Sequence, residues 1–392
     1  MAKKKLNIAI IGHGFMGRAH SNAWIKLPKF FDIDYEPVLK VVVGGNNPAE
    51  EFAERWGYEE VSYDWKEVVE RKDIDVVAIL TPTAKHKEIA IAAMKAGKHV
   101  ICEKPCALDF EEAKEMAETA KTAGVVTLLN HNYRKVPAIV LAKKMIDEGA
   151  LGDILQYRGT YLQEWIIDPN FPLTWHLKKE TAGGGPLYDL GSHAVDLARY
   201  LVGEPKSVMG ATKTFIKERP KPASLQSAFS SDVDEKSAEM GDVTVDDAAF
   251  FLAEFENGVF GSFDTSRFSW GRKNYNVFEV NGTKGTICFN LERFNELEYY
   301  NAEDPADRQG FRTISVTEGC HEYANHWWPQ GHIIGYEHTF VHAFYDFVKA
   351  IETNGKASPD FEDGARIMRV LNAVQRSAAE DRRVDVSEIG EI

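Results

Sequence analysis

Cysteine is scarce in this chain. Its 392 residues hold four, Cys102, Cys106, Cys288 and Cys320, with no CxxC spacing. That excludes a disulfide framework, and the four read as reduced thiols. Long apolar runs are also missing: none approaches the ~20 residues that span a bilayer, so no membrane span is expected. No apolar leader with a small-residue cleavage site stands before the first strand, and the chain reads as cytoplasmic. Positive charge is in deficit, with 46 Lys and Arg against 60 Asp and Glu and a net charge of -14. No nucleic-acid or anionic-lipid partner is expected, because phosphate binding calls for clustered cations. Metal-ligand spacing is absent as well, since His86, His176, His193, His326 and His332 are scattered and the last two lie six residues apart. No metal is expected.

The length fits two domains, each able to bury its own core. The first is placed at 1–131. After a short basic tail, "LNIAII" is an apolar strand that runs into "GHGFMGRAH". Gly12, Gly14 and Gly17 thus form G-x-G-x-x-G between a strand and a helix, with Phe15 and Met16 inside the turn. Glycines alone could be a structural turn. At this position they suit a pyrophosphate: one for the tight turn, one for close backbone approach and one for helix packing. Further strands at "LKVVVGG", "DVVAILTP" and "HVICEKP" alternate with helices at "AEEFAERWG" and "HKEIAIAAMKAG", the pattern of a doubly wound parallel sheet.

Ligands of such sheets sit beyond the carboxyl ends of the strands. Gly12, Asn46, Thr81 with Pro82 and His86, and Glu103-Lys104-Pro105 all fall there and are the expected cofactor-binding residues. The acid that usually holds a ribose 2'-hydroxyl is lacking. Asp32 precedes its strand, and the strand end reads Gly44-Gly45-Asn46-Asn47. With no arginine there to pair a 2'-phosphate, NAD is favoured and NADP remains open. Lys104 is either an ordinary surface ion pair or an ammonium that donates to a substrate hydroxyl, and its place in the site mouth favours the second.

"GGGPLYDLGSHAVDL" places Asp189 and His193 four residues apart, with Asp196 three further on. A helix from about Leu187 would put Asp189 and His193 on one face. A catalytic pair, a metal site and a buried helix with satisfied polar groups all fit the stretch taken alone.

The second domain, 132–392, changes texture. "ILQYRGTYLQEW" alternates, and Asn-Gly turns are expected at 257–258 and at Asn281-Gly282, each between two β runs. Phe340, Phe344, Phe347 and Ile351 form a core stripe on one late helix, and "DGARIMRVLNAVQRSAAE" is another. The polar stretch 219–242 reads as a long mobile loop or lid. "NHWWPQGH" is either loop packing or a sugar-binding wall.

The elements "GHGFMGRAH", "TPTAKHKEIAIAAMKAGKHVICEKP" and "GGGPLYDLGSHAVDL" together resemble the glucose-fructose oxidoreductase, inositol dehydrogenase and rhizopine catabolism family, written Gfo/Idh/MocA. The resemblance implies an α/β Rossmann domain, then an α+β domain on a large, mostly antiparallel open sheet through which a homodimer or homotetramer forms. It implies a nicotinamide cofactor, a small-molecule sugar or polyol substrate, and Lys104, Asp189 and His193 as catalytic residues with Pro105 in cis. "YLQEW" and "NHWWPQGHIIGYEHTF" resemble the subgroup that includes levoglucosan dehydrogenases, and Gln163, Trp165, Trp175 and Tyr336 join Asp189 and His193 as expected substrate contacts. The expected activity is oxidation of a secondary hydroxyl of a cyclic sugar, anhydrosugar or inositol. The alternatives are a non-catalytic dinucleotide sensor and a glycosidase that oxidises and re-reduces its substrate on a retained cofactor.

Overall fold

The computed structural model describes residues 3–45, 47–222 and 239–392. Asn46 and most of the polar 219–242 stretch lie outside them.

The first unit is β1 (Lys4–Ile11), α1 (Phe15–Phe30), β2 (Tyr35–Val43), α2 (Glu50–Trp56), β3 (Glu60–Ser62), α3 (Trp65–Glu70), β4 (Val76–Ile79), α4 (His86–Lys95), β5 (His99–Cys102), α5 (Phe110–Ala123) and β6 (Thr127–Leu129). Its six strands are all parallel, in the order β3-β2-β1-β4-β5-β6. This is the doubly wound sheet expected from the strand–helix alternation. The alternating side chains of β1 divide the core in two. Leu6, Ile8 and Ile10 pack on the face covered by α1, while Ala9 and Ile11 face the layer of α4 and α5.

Helix α6 (Pro137–Asp147) leads into β7 (Ile154–Leu162), and short helices α7 (Lys179–Ala182) and α8 (Pro186–Asp189) precede α9 (Gly191–Val202). Strands β8 (Pro205–Lys213), β9 (Glu218–Pro220), β10 (Met240–Asp242), β11 (Ala248–Phe255), β12 (Phe260–Ser266), β13 (Tyr275–Gly282), β14 (Gly285–Asn290), β15 (Glu296–Asn301) and β16 (Arg312–Ser315) follow, then α10 (Tyr336–Thr353), α11 (Phe361–Glu380) and β17 (Val384–Asp385). Nine of these strands form one sheet, ordered β16-β15-β14-β13-β7-β12-β11-β8-β17. Only the β7–β12 pairing is parallel, and α9 and α11 cover one face. The flanks of the polar stretch, β9 and β10, pair as a small antiparallel ribbon.

Two local expectations are corrected. The β13–β14 hairpin turns at Thr283-Lys284, not at Asn281-Gly282: Asn281 pairs with Thr286, and Gly282 sits at a register shift against β7. A Cβ on Gly282 would lie 2.2 Å from the Leu151 carbonyl oxygen, so glycine is there for close approach rather than for the turn. "NHWWPQGH" packs rather than walls a site. Trp327 is buried against Phe30 and Phe31, at the opposite end of α1 from the glycine turn.

Helix α10 returns to the first unit. Phe340, Phe344 and Phe347 are buried with Trp24 and Leu27 of α1, and the Phe344 ring lies 4.6 Å from that of Trp24. Phe344→Ala is expected to remove about 3–5 kcal/mol of stability, read by chemical denaturation, because it empties a fully buried site between the two helices.

Candidate active site

The three glycines of the first turn do different work. Gly12 has φ +104°, and a Cβ there would lie 2.8 Å from the Leu80 carbonyl oxygen; one on Gly17 would meet Gly12 and the Phe52 ring at 3.2 and 3.3 Å. Gly14 has nothing within 4 Å, so that side of the turn is open. Helix α1 starts beside this opening with no acidic residue in its first turn and no side-chain cap, leaving its N–H groups for an anion. At the end of β4 the Thr81 hydroxyl is buried and unpartnered. An open backbone cradle, a bare helix N-terminus and an orphaned hydroxyl together fit a dinucleotide.

Two of the expected cofactor residues are turned to other tasks. His86 is buried, and its two ring nitrogens face the carbonyl oxygens of Pro105 at 3.0 Å and Thr81 at 2.9 Å. Burial lowers its pKa against those two contacts, and a neutral ring donates to only one of them. The imidazole therefore braces β4 against the turn after β5 and has no free edge for a ligand. Glu103 turns inward, where its Oε1 accepts from Asn130 at 2.7 Å and lies 2.8 Å from His20 Nε2. That anchor fixes the start of the Glu103-Lys104-Pro105 turn, whose Lys104–Pro105 bond is cis.

Lys104 meets the second unit here. Its ammonium donates to Asp189 Oδ1 at 2.5 Å, and Arg267, at the end of β12, donates to Asp189 Oδ2 at 2.7 Å. Burial alone would raise the Asp189 carboxyl, but the two cations outweigh it and hold the group well below the usual carboxylate range. Asp189 accepts from both cations and makes no hydrogen bond to His193. The expected single helix face is broken: α8 ends at Asp189, Leu190 intervenes, and α9 starts at Gly191. The glycines before it let the segment sit this deep. A Cβ on Gly185 would lie 1.8 Å from the Asp246 carbonyl oxygen, while the Asp246 carboxylate accepts from the N–H groups of Gly185 and Leu187.

His193 is buried beside this cluster. Its ring lies 4.5 Å from that of Tyr133 and perpendicular to that of His131 at 5.1 Å. Burial pushes its pKa well below 6.5, and the Lys104 charge adds to this, so the imidazole is neutral near pH 7. Asp196 is elsewhere. It accepts two hydrogen bonds from Arg134, at 2.6 and 2.9 Å, as a buried structural pair. No group of His, Cys, Asp and Glu suited to a metal occurs among the described residues.

A polar chain runs along the mouth of β7. The Trp165 indole donates to Gln163 Oε1 at 2.8 Å; Gln163 and the Tyr161 hydroxyl donate to Asn274 Oδ1 at 3.0 and 2.7 Å; and Asn274 Nδ2 reaches the Tyr133 hydroxyl at 3.3 Å. Trp165 also lies under the Arg267 guanidinium, and Trp175 stacks on His176 at 3.6 Å. The loop carrying both tryptophans is pinned by Arg219 of β9, which donates to the carbonyls of Ile166, Asp168 and Phe171. Tyr336, first in α10, stacks on Phe15 at 6.2 Å and touches Tyr133.

Residues 6–131 match the model of an oxidoreductase family with an NAD-binding Rossmann fold, and residues 139–288 match the GFO/IDH/MocA C-terminal domain. The chain belongs to the Gfo/Idh/MocA family. This family member is 45% identical to the levoglucosan dehydrogenase of Pseudarthrobacter phenanthrenivorans, over 98% of this chain and 99% of that protein. A scyllo-inositol 2-dehydrogenase (NAD(+)) of Bacillus subtilis is 30% identical over 76% of this chain and 78% of its own. A solved levoglucosan dehydrogenase in complex with NADH and levoglucosan superposes with a TM-score of 0.91 at 45% identity, covering 98% of this chain and 100% of the other. The Gfo/Idh/MocA protein described here is accordingly an oxidoreductase with an NAD-binding Rossmann domain.

Arg267, His131, Tyr133 and Asn274 escaped the sequence analysis of this family member. Arg267 left a signal: Phe263 and Thr265 face inward on β12, and the same alternation turns a cation inward two residues later. The buried histidines set a pH dependence. Burial lowers His131 to about 4 and His176 to about 3, against 6.5 when exposed. Between about 4 and 6.5 the unfolded chain therefore binds more protons than the native one, and stability falls as pH falls. Tm is expected to drop from pH 7 to pH 5, as followed by scanning fluorimetry.

Proposed function

We propose that this protein oxidises a secondary hydroxyl of levoglucosan, or of a closely similar 1,6-anhydropyranose, to the ketone. The observation that carries the chemistry is that Lys104, an ammonium clamped by Asp189, lies close enough to the buried imidazole of His193 for its charge to act on that ring. Similarity to levoglucosan dehydrogenase along almost all of both chains supports the substrate.

NAD, when bound, supplies the hydride acceptor. His193 takes the hydroxyl proton, a role suited to a neutral imidazole. Lys104 donates to the same oxygen as negative charge builds there. Asp189 holds the ammonium in place, and Arg267 holds Asp189. Gln163, Trp165, Trp175 and Tyr336 line the space for the sugar, with Trp165 and Trp175 offering aromatic faces to its C–H groups.

His193→Ala should lower kcat by about 100- to 10,000-fold with NAD affinity nearly unchanged. A panel of levoglucosan, hexoses and inositols, assayed for NADH and NADPH formation, is expected to give the highest kcat/KM with levoglucosan and NAD. Turnover without net NADH would return the retained-cofactor alternative, and NAD binding without turnover would return the sensor.

A second copy of the chain is proposed to cover the open face of the nine-stranded sheet. Met209, Phe250, Leu252 and Phe260 are each about half exposed there, and Leu252 pairs directly with Met209. Such an apolar patch on a flat sheet suits a two-fold contact. Sedimentation should find a dimer or tetramer that Phe250→Asp with Leu252→Asp dissociates; a monomeric parent protein would overturn this. The proposed compartment is the cytoplasm. No helix among the described residues is long and apolar enough to cross a membrane, and the four cysteines are free.

A further inference from the structure

We propose that His131 sets the tautomer of His193, holding its ring hydrogen on Nδ1 so that Nε2 presents a lone pair to the substrate hydroxyl. His131 is a positioning residue in this scheme, and the inference rests on His193 being the proton acceptor.

The two rings meet through like atoms. His131 Nδ1 lies 3.4 Å from His193 Nδ1, with the ring planes at 88°. A contact between two imidazole nitrogens holds at most one hydrogen, so one ring donates and the other accepts. No other described residue hydrogen-bonds either nitrogen of His193. Asp189, four residues back, accepts from Lys104 and Arg267 instead. The hydroxyl of Tyr133, whose ring lies beside that of His193, is engaged with Tyr161 and Asn274. Which nitrogen of His193 carries hydrogen is thus left to His131 alone.

Only one arrangement serves catalysis. If His131 donated through Nδ1, the lone pair of His193 would be spent on that bond and its hydrogen would sit on Nε2, facing the substrate with nothing to accept a proton. If His193 donates, His131 must carry its own hydrogen on Nε2, an atom that is buried and without a partner. That arrangement also survives the reaction. When the hydroxyl proton arrives on Nε2, the imidazolium keeps donating through Nδ1 to the same lone pair. His131 stays neutral throughout, since burial leaves it with little tendency to protonate. A neutral acceptor stabilises the imidazolium less than a carboxylate would, so His193 gives the proton up again readily.

Proton–nitrogen correlation spectra of protein labelled with ¹⁵N-histidine test this, the His193 signals being those absent from His193→Gln. The expected result is the Nδ1–H form in the parent protein. In His131→Phe, which keeps a ring but removes the acceptor, the Nε2–H form should appear and kcat should fall about 10- to 100-fold, with NAD affinity unchanged. His131→Gln, which offers a carbonyl oxygen, should recover much of both. An Nε2–H form in the parent protein overturns the proposal, and this spectrum decides it even if His131→Phe fails to fold. Unimpaired turnover by His193→Gln would instead sink the general-base assignment, whichever tautomer the parent shows.

Discussion

Asp189 is a partly buried carboxylate held between two cations that reach it from different parts of the chain, Lys104 from the end of β5 and Arg267 from the end of β12. Burying one charge is expensive, and a lone carboxylate in this position would take up a proton instead. Two partners make ionisation favourable and at the same time tie the dinucleotide domain to the large sheet at a single point. Everything placed around that point inherits its position. Lys104 cannot swing out to solvent, α8 cannot draw back, and the His193 ring, four residues along, is presented at a set depth. Loss of either cation leaves a partly buried charge with half its compensation, so the clamp fails as a unit rather than by halves.

The charge arrangement also separates two jobs that one carboxylate often performs. Asp189 accepts from the ammonium and the guanidinium and makes no hydrogen bond to the imidazole. The imidazole is surrounded by rings, from Tyr133, Tyr161 and His131, and by low-dielectric protein that keeps it neutral. The chain as a whole carries a charge of -14. An uncharged sugar is indifferent to that negative surface on its way in.

Much of this was legible in the sequence where chemistry and local conformation coincide. The glycine turn, the Glu103-Lys104-Pro105 strand end and the Asp189–His193 spacing each declare themselves within a few residues, and the alternation of strands and helices places them at one edge of a sheet. The rest depends on contacts made far along the chain. Arg267 is 78 residues from Asp189, and Asn274 is 113 from the Tyr161 whose hydroxyl it receives. No periodicity within either segment names its partner, because the packing of α8 against β12 and the register of the β7–β13 pairing bring them together. The break at Leu190 was hidden for a different reason: its backbone stays in the helical region, with φ -93° and ψ -41°, so nothing local marks the end of α8. At Asn281-Gly282 the glycine was visible and its purpose was not, since the close approach of Leu151 is a tertiary fact.

Helix α10 closes the core of the first unit from more than three hundred residues downstream. Trp24 and Leu27 on α1 are buried together with Phe340, Phe344 and Phe347. Until that late helix has left the ribosome, the nascent dinucleotide domain carries an exposed indole and a bare apolar groove, and Phe15 in the glycine turn lacks the ring of Tyr336. The dinucleotide unit is therefore made before the helix that finishes its core, which makes it a poor candidate for transplantation as an independent nucleotide-binding module.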